Sequence, residues 1–265
     1  MLDKKYRPKG FAEIFGHKEI IESLKNLFFN KNNEVPHAYL FSGPSGTGKT
    51  TLARIITNLL RSADIEEMNI ANTNGVDFIR DINDFARKSP LFGDTKVFIL
   101  DEVQQLTKEG QNCLLKLLED SPKYSYFILC TTDPQKLLKA LKDRCLVYTL
   151  TTLSDKDIGL LLRHVINSEG IDLSEDIINL LIYKAEGCPR KALMMLEQVK
   201  DSKDFGNATK LLADELDAEA EIIDIIKGIL YKKKSWQELM IMFNTISIEN
   251  ETIRITFANY LSGCL

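Results

Sequence analysis

The octapeptide Gly43-Pro-Ser-Gly-Thr-Gly48-Lys49-Thr50 matches GxxxxGK[ST]. It joins a short apolar run, 38–41, to a stretch from 49 to 60 whose apolar residues recur at helical spacing. Strand, glycine loop and helix in that order are the context a P-loop requires. Glycines let backbone N–H groups turn inward around phosphate oxygens. Lys49 adds a point charge on the outer phosphates, and Thr50 offers a hydroxyl to Mg2+. Gly43, Ser45, Gly46, Thr47, Gly48, Lys49, Thr50 and Thr51 are therefore candidate phosphate-binding residues.

Further along, Val97-Phe-Ile-Leu-Asp101-Glu102 is an apolar strand that delivers two adjacent carboxylates to a sheet edge, as a Walker B element does. Asp101 would hold Mg2+ directly or through water, and Glu102 would polarise the water that attacks a terminal phosphate. Acidic pairs after strands are often solvated caps, but the P-loop upstream favours the chemical role. Thr131-Thr132-Asp133 closes the next apolar strand. If that strand neighbours the other two, Thr132 can sense the terminal phosphate. The rival reading makes Asp133 the cap of a helix starting at Pro134.

The spacing predicts helices over 17–30, 49–60, 76–87 and 111–118, and strands over 38–41, 97–100, 126–130 and 146–150. Such alternation implies an α/β domain with a mainly parallel sheet, helices on both faces, and ligands at the carboxyl ends of the strands. Residues 154–200 read as three helices with a break at Gly187-Cys188-Pro189. A polar stretch, DSKDFGN, then precedes a last helical region with apolar faces at Ile222, Ile225, Ile226 and Ile229, and again at Leu239, Ile241 and Phe243. The expected domains are 1–151 (nucleotide-binding), 152–203 (helical lid) and 204–265 (all-helical collar).

Apolar residues at 44% and charged residues at 27% are the balance of an ordinary globular chain. A net charge of -4 excludes the basic body of a protein that coats nucleic acid, so any DNA contact must be local. The five cysteines show no CxxC pair and read as reduced core thiols rather than a zinc ribbon. No signal-peptide pattern opens the chain, and no run of about 18 apolar residues could span a bilayer, so no membrane role and a cytoplasmic location are expected.

The ordered set Tyr6-Arg7-Pro8-Lys9, Phe15-Gly16-His17, HAYLFSGPSGTGKTTLAR, ILDEVQQLT, CTTDPQKL, DRC and GCPRKAL resembles the AAA+ sliding-clamp loader ATPases. That group includes the bacterial tau/gamma subunit, the small subunits of replication factor C and the phage-type loader. The likeness spans about residues 4 to 200. It implies an AAA+ P-loop domain followed by a helical lid and a collar, with ATP and Mg2+ as cofactors. Tyr6, Arg7, Pro8, Phe15 and Gly16 would lie against adenine and ribose. Arg190 would be a sensor reaching the phosphates from the lid, and Arg144 an arginine finger entering a neighbour's ATP site.

That finger implies a ring of subunits, pentameric in this family, with identical or different neighbours. The ring would act on a sliding clamp and on primer-template DNA through backbone contacts. DNA candidates are Arg80, Arg87, Lys88 and Lys108, with a solvated helix face laced with Asp77, Asp81 and Asp84 as the rival reading. Leu91 and Phe92, apolar residues in a turn, are the clamp candidates unless they fold back on the core.

Three departures stand out: Asp143 replaces the family's serine before the finger, His17 replaces the usual glutamine, and the zinc module of the bacterial tau/gamma subunit is missing between Leu60 and Val76. The last weighs toward the phage-type and replication-factor-type subunits. Other readings are a different DNA-directed AAA+ machine, such as a branch-migration motor or helicase loader, and a structural subunit that binds ATP without turnover.

Overall fold

The computed structural model describes residues 1–30, 34–62, 64–72, 75–91, 93–202, 205–212 and 225–226. The chain divides into two compact units, Met1–Asp201 and Ser202–Leu265. In the first, the described helices are α1 (Leu2–Lys5), α2 (Lys18–Phe29), α3 (Lys49–Leu59), α4 (Gly75–Ala86), α5 (Lys108–Asp120), α6 (Lys139–Asp143), α7 (Asp155–Glu169), α8 (Glu175–Ala185) and α9 (Pro189–Val199). Its described strands are β1 (Ala38–Ser42), β2 (Asp64–Asn69), β3 (Lys96–Asp101), β4 (Ser125–Thr131) and β5 (Leu146–Thr149).

The strands form one parallel sheet in the order β2-β3-β4-β1-β5. Successive residues of a strand face opposite sides, so a strand covered on both faces must be apolar throughout. β3 shows this: Val97 and Ile99 point into a core shared with Leu52, Ile55 and Ile56 of α3, while Phe98 and Leu100 point into one shared with Ile79 and Ile82 of α4 and Leu114 of α5. Phe98 and Phe127 stack at 5.1 Å across the second core. Each such buried side chain contributes about 1.5–3 kcal/mol of transfer free energy.

β2 is absent from the sequence expectation. Its residues, Asp64-Ile-Glu-Glu-Met-Asn69, alternate between half-buried and exposed, as an edge strand with one covered face should. With three acids among its residues it offers no apolar run to detect. α6 and the short α1 are likewise too brief to show a periodicity. Elsewhere local chemistry sets the boundaries. Thr107, Ser154 and Ser174 each accept a bond from a backbone N–H of the following turn, capping α5, α7 and α8, and Gly170 ends α7 in the left-handed region.

Lys96 opens β3 with its side chain buried. Its ammonium donates to the carbonyls of Phe85 and Lys88 at 3.0 and 3.1 Å, lies 3.9 Å from the Phe85 ring centroid and pairs with Asp64 at 3.6 Å. α7, α8 and α9 pack on one another as a helical layer. In the second unit, helix α10 spans Phe205–Leu211, with Ala208, Leu212, Ile225 and Ile226 buried. The polar connector read over 201–207 runs into the first three residues of α10, and the rest of α10 lies in the stretch 204–265 expected to be helical. Apart from Ile225 and Ile226, the helices expected over 222–243 fall outside the described residues.

Candidate active site

The sheet order places the site. β4 lies between β1 and β3, so the P-loop, the Thr131-Thr132 step and Asp101-Glu102 emerge side by side from the carboxyl ends of three adjacent strands. Thr132 therefore has the strand neighbours that the expected sensing role requires.

At the end of β1, Gly43 adopts φ 141° and lies so close to the Leu150 carbonyl that any Cβ would collide with it. At Gly46, φ 74°, a Cβ would stand 2.5 Å from Cys188 Sγ and 3.1 Å from Arg190 Cβ, so the first residues of the α9 end close directly over the loop. Lys49 is buried, and its Nζ donates to the carbonyls of Gly43 and Pro44 at 2.8 Å each. Burial lowers its pKa, and the charges of Asp101 and Glu102 pull the other way.

Thr50 Oγ1 donates to Asp101 Oδ2 at 2.9 Å, joining the helix start to the strand end. Asp101 Oδ1 accepts from the Glu102 backbone N–H at 3.0 Å, and Glu102 sits in the left-handed region at φ 56°. A short 3-10 turn, Val103–Gln105, follows. The Gln104 amide, which sequence reasoning passed over, is the hub: its Nε2 donates to Glu102 Oε2 and to Thr132 Oγ1 (2.7 Å), and its Oε1 accepts from Thr131 Oγ1 at 2.8 Å. Thr132 Oγ1 also donates to Glu102 Oε2 at 3.2 Å. Asp133 accepts from Gln135 N, so the capping role foreseen for it and the Thr132 contact coexist.

A cleft of about 1030 Å³, its open mouth included, runs from these residues to the N-terminal segment. Its lining includes Ser45 to Thr51, Asp101, Glu102 and Arg190, together with Tyr6, Arg7, Pro8, Ile14, Phe15 and His17. Gly16, φ 74°, packs against Leu153 of the cleft wall. His17 takes the left-handed residue before α2, and its Nε2 lies 3.3 Å from the Thr47 carbonyl, so this departure from the family pattern touches the loop backbone. Burial lowers its pKa. Asp3 also lines the cleft, with a buried Oδ1 that has no hydrogen-bond partner. A charged residue in a segment without periodicity carried no sequence signal for that position.

The N-terminal segment is tied to α7 and α9. Tyr6 donates to Glu169, Lys5 pairs with Glu169 at 2.6 Å, and the Tyr6 and Phe15 rings meet His164 of α7 at 6.2 and 5.7 Å. The backbone N–H of Leu2 donates to Glu197 of α9 at 2.7 Å. Burial lowers the Arg7 pKa, and the positive charges of Arg54 and Arg190 push it further down. Cations crowded at a cleft with inward glycine turns suit a polyanion, and the Thr50–Asp101 pair supplies the hard oxygens Mg2+ takes. A nucleoside triphosphate with Mg2+ fits this set of residues.

Other expected residues lie away from the cleft. Arg144 follows α6, is exposed, and pairs with Glu119 of α5 at 2.8 Å rather than with Asp143. Arg80 on α4, Arg87 and Lys88 just beyond it, and Lys108 at the start of α5 are exposed; Arg87 Nε donates to Asn83 Oδ1. Leu91 is 75% exposed, its backbone N–H held by Asp64. Phe92 lies outside the described residues.

Comparison with known proteins agrees with this arrangement. The family described as DNA polymerase III, delta subunit, matches residues 62–154. The chain is 34% identical to the DNA polymerase III subunit tau/gamma of Haemophilus influenzae over 221 residues, 75% of this chain but 32% of that one. It is 30% identical to the DNA polymerase III subunit gamma of Buchnera aphidicola subsp. Acyrthosiphon pisum over 287 aligned positions, covering 98% of this chain and 79% of the relative. A chain of 265 residues cannot fill 287 positions, so the relative carries insertions.

The chain thus spans about a third of the Haemophilus protein. In shape it resembles the RuvB Holliday junction branch migration motor of Thermotoga maritima, with TM-score 0.68 at 20% identity over 98% of this chain and 91% of that one. This is the P-loop AAA+ fold. Lack of the zinc module does not remove the chain from the bacterial group, contrary to the weight it carries in the sequence. At 30% identity over nearly its whole length, the chain belongs to the DNA polymerase III gamma/tau family of AAA+ clamp-loader subunits.

Proposed function

We propose that this chain is an ATP-hydrolysing subunit of a sliding-clamp loader that works in the cytoplasm. The observation that carries the reading is the convergence of Lys49, Thr50, Asp101, Glu102 and Thr132 at the ends of three adjacent strands, joined by the Thr50–Asp101 and Thr132–Glu102 hydrogen bonds. The P-loop amides and Lys49 hold the phosphates of ATP, and Thr50 and Asp101 hold Mg2+. Bound Mg2+ neutralises charge on the phosphate oxygens. Glu102 accepts a proton from the attacking water as the terminal phosphoryl group leaves ADP for that water's oxygen. Thr132 and Arg190 contact the terminal phosphate, while Tyr6, Arg7, Pro8, Phe15 and Gly16 enclose adenine and ribose.

Arg144 completes a neighbour's site, so the working species is a ring, pentameric and built from like or unlike subunits. Residues 1–151 form its nucleotide-binding domains, 152–203 its lids and 204–265 a collar. ATP binding lets the ring grip an opened clamp through Leu91 and Phe92. Arg80, Arg87, Lys88 and Lys108 then track the phosphate backbone of primer-template DNA without reading its bases. Hydrolysis releases the loaded clamp.

Steady-state ATPase of the assembled complex, with and without clamp and primer-template DNA, tests this. Stimulation by both is expected, and none from either would reject clamp loading. Glu102→Gln in this subunit should retain ATP binding and cut its hydrolysis by about 10²-fold or more. Unaltered turnover would instead make the chain a structural subunit.

A further inference from the structure

Glu102 alone does not determine which of its carboxylate oxygens faces the cleft. Its backbone is in the left-handed region and its side chain has several rotamers, so something must hold it. Gln104 is placed to do so. It is only 8% exposed, and its amide meets four groups: Glu102 Oε2, Thr132 Oγ1, Thr131 Oγ1 and, at 3.4 Å, the Thr132 backbone N–H.

The polarity of that amide is fixed by its surroundings. A backbone N–H can only donate, so the Gln104 atom facing Thr132 N must be Oε1. The atom facing Glu102 is then Nε2, a donor, which a carboxylate requires. Turning the amide over would set its oxygen against the carboxylate and its N–H2 against Thr132 N, losing both interactions. Among the described residues, the side-chain hydrogen bonds to Glu102 from Gln104 and Thr132 both fall on Oε2.

We propose that Gln104 is a positioning residue for ATP hydrolysis. It clamps Oε2 of Glu102 to the end of β4, which leaves Oε1 as the oxygen that takes the proton of the attacking water. The inference rests on the reading of Glu102 as the base. Thr131 is the buttress: its hydroxyl donates to Gln104 Oε1 and accepts from Asp133 N at 3.1 Å, and no hydrogen bond joins it to Glu102 among the described residues. The clamp therefore runs from β4 through Thr131 and Gln104 to Glu102, and loosening either link should act on the same step.

The test uses Gln104→Met, which keeps the volume and removes the amide, and Thr131→Val, which removes the buttress. Both are measured in the assembled loader, for kcat and, by nucleotide titration, for ATP affinity. For Gln104→Met a fall in kcat of roughly 10- to 100-fold at unchanged ATP affinity is expected, the size of loss that follows from misplacing a catalytic group by about 1 Å. Thr131→Val should lower kcat in the same sense but less, and the double variant should be no slower than Gln104→Met alone.

Losses that multiply in the double variant would overturn the shared clamp, and so would equal losses of kcat and ATP affinity. If Gln104→Met fails to fold, a wild-type kcat for Thr131→Val overturns it. Glu102→Gln measured alongside separates the two claims. Where it abolishes turnover and Gln104→Met does not slow it, the inference about Gln104 alone falls; where Glu102→Gln turns over normally, the assignment of the base falls with it.

Discussion

At the scale of single residues, some buried polar groups here are held by several partners at once, and their removal has a cost set by what is left behind. Lys96 is the clearest case. Its ammonium is inside the protein because Asp64, two carbonyls and the Phe85 ring replace its water shell. Lys96→Ala leaves the Asp64 carboxylate and both carbonyls without that donor, and should destabilise unit Met1–Asp201 by about 3 kcal/mol. Chemical denaturation measures this, and a loss within experimental error of zero would mean water replaces the ammonium. The Gln104 amide obeys the same logic, except that its partners include the proposed base, Glu102. Neither residue announces itself in the sequence. Gln104 and Gln105 are adjacent and identical, and only the turn that follows β3 buries one and exposes the other.

At the scale of elements, the N-terminal segment acts as a strap between the cleft and the layer of α7, α8 and α9. α1 is held by ionised carboxylates on α7 and α9, and Tyr6, Arg7 and Pro8 continue from it into the cleft wall. Hydrogen bonds from Lys5 and Tyr6 hold the Glu169 pKa below its ordinary value, and Lys200 followed by the Leu2 N–H does the same for Glu197. A lowered carboxylate pKa means a contribution that is complete above the unfolded value, about 4.3, and lost as pH falls through the lower folded value. Lys5 is raised by Glu169, so its half of the pair persists through the ordinary lysine range and fails only above it.

Acid should therefore free α1 first. Hydrogen exchange, corrected for intrinsic rates, is expected to show protection of residues 2–7 falling ahead of that of β1 and β3 as the solution is acidified below about pH 4. Simultaneous loss in all three would remove the strap as a separate element.

At the scale of the whole molecule, the proposed finger role of Arg144 requires a second chain. It is exposed, it does not line its own cleft, and its present partner Glu119 is itself on the surface. An exposed pair of this kind is worth little, so a neighbour's phosphates can take the guanidinium at small cost. Arg144→Ala should leave ATP affinity of the isolated chain unchanged while lowering ATPase of the assembled ring by roughly 10³-fold per affected site. Equal ATPase in rings of wild-type and variant subunits would remove the finger role. The isolated chain's affinity is the control that separates a finger from a ligand in its own site.

Much of this molecule was legible as sequence, for a physical reason that is local. A P-loop, a strand ending in two carboxylates and a helical cap are each encoded in a few consecutive residues, so Gly43 to Thr51, Asp101 and Glu102 could be placed without a fold. The core strands could be read because burial on both faces demands apolar residues at every position. β2 could not, since an edge strand covered on one face tolerates Asp64, Glu66 and Glu67. What only the tertiary structure decided is adjacency. β4 inserts between β1 and β3, which brings Thr132 to Glu102, and the α9 end folds over Gly46. The buried Gln104 amide, His17 against Thr47 and Asp3 in the cleft wall follow from the same packing. Contacts between residues distant in the chain depend on strand order and helix packing, which no short stretch of sequence encodes.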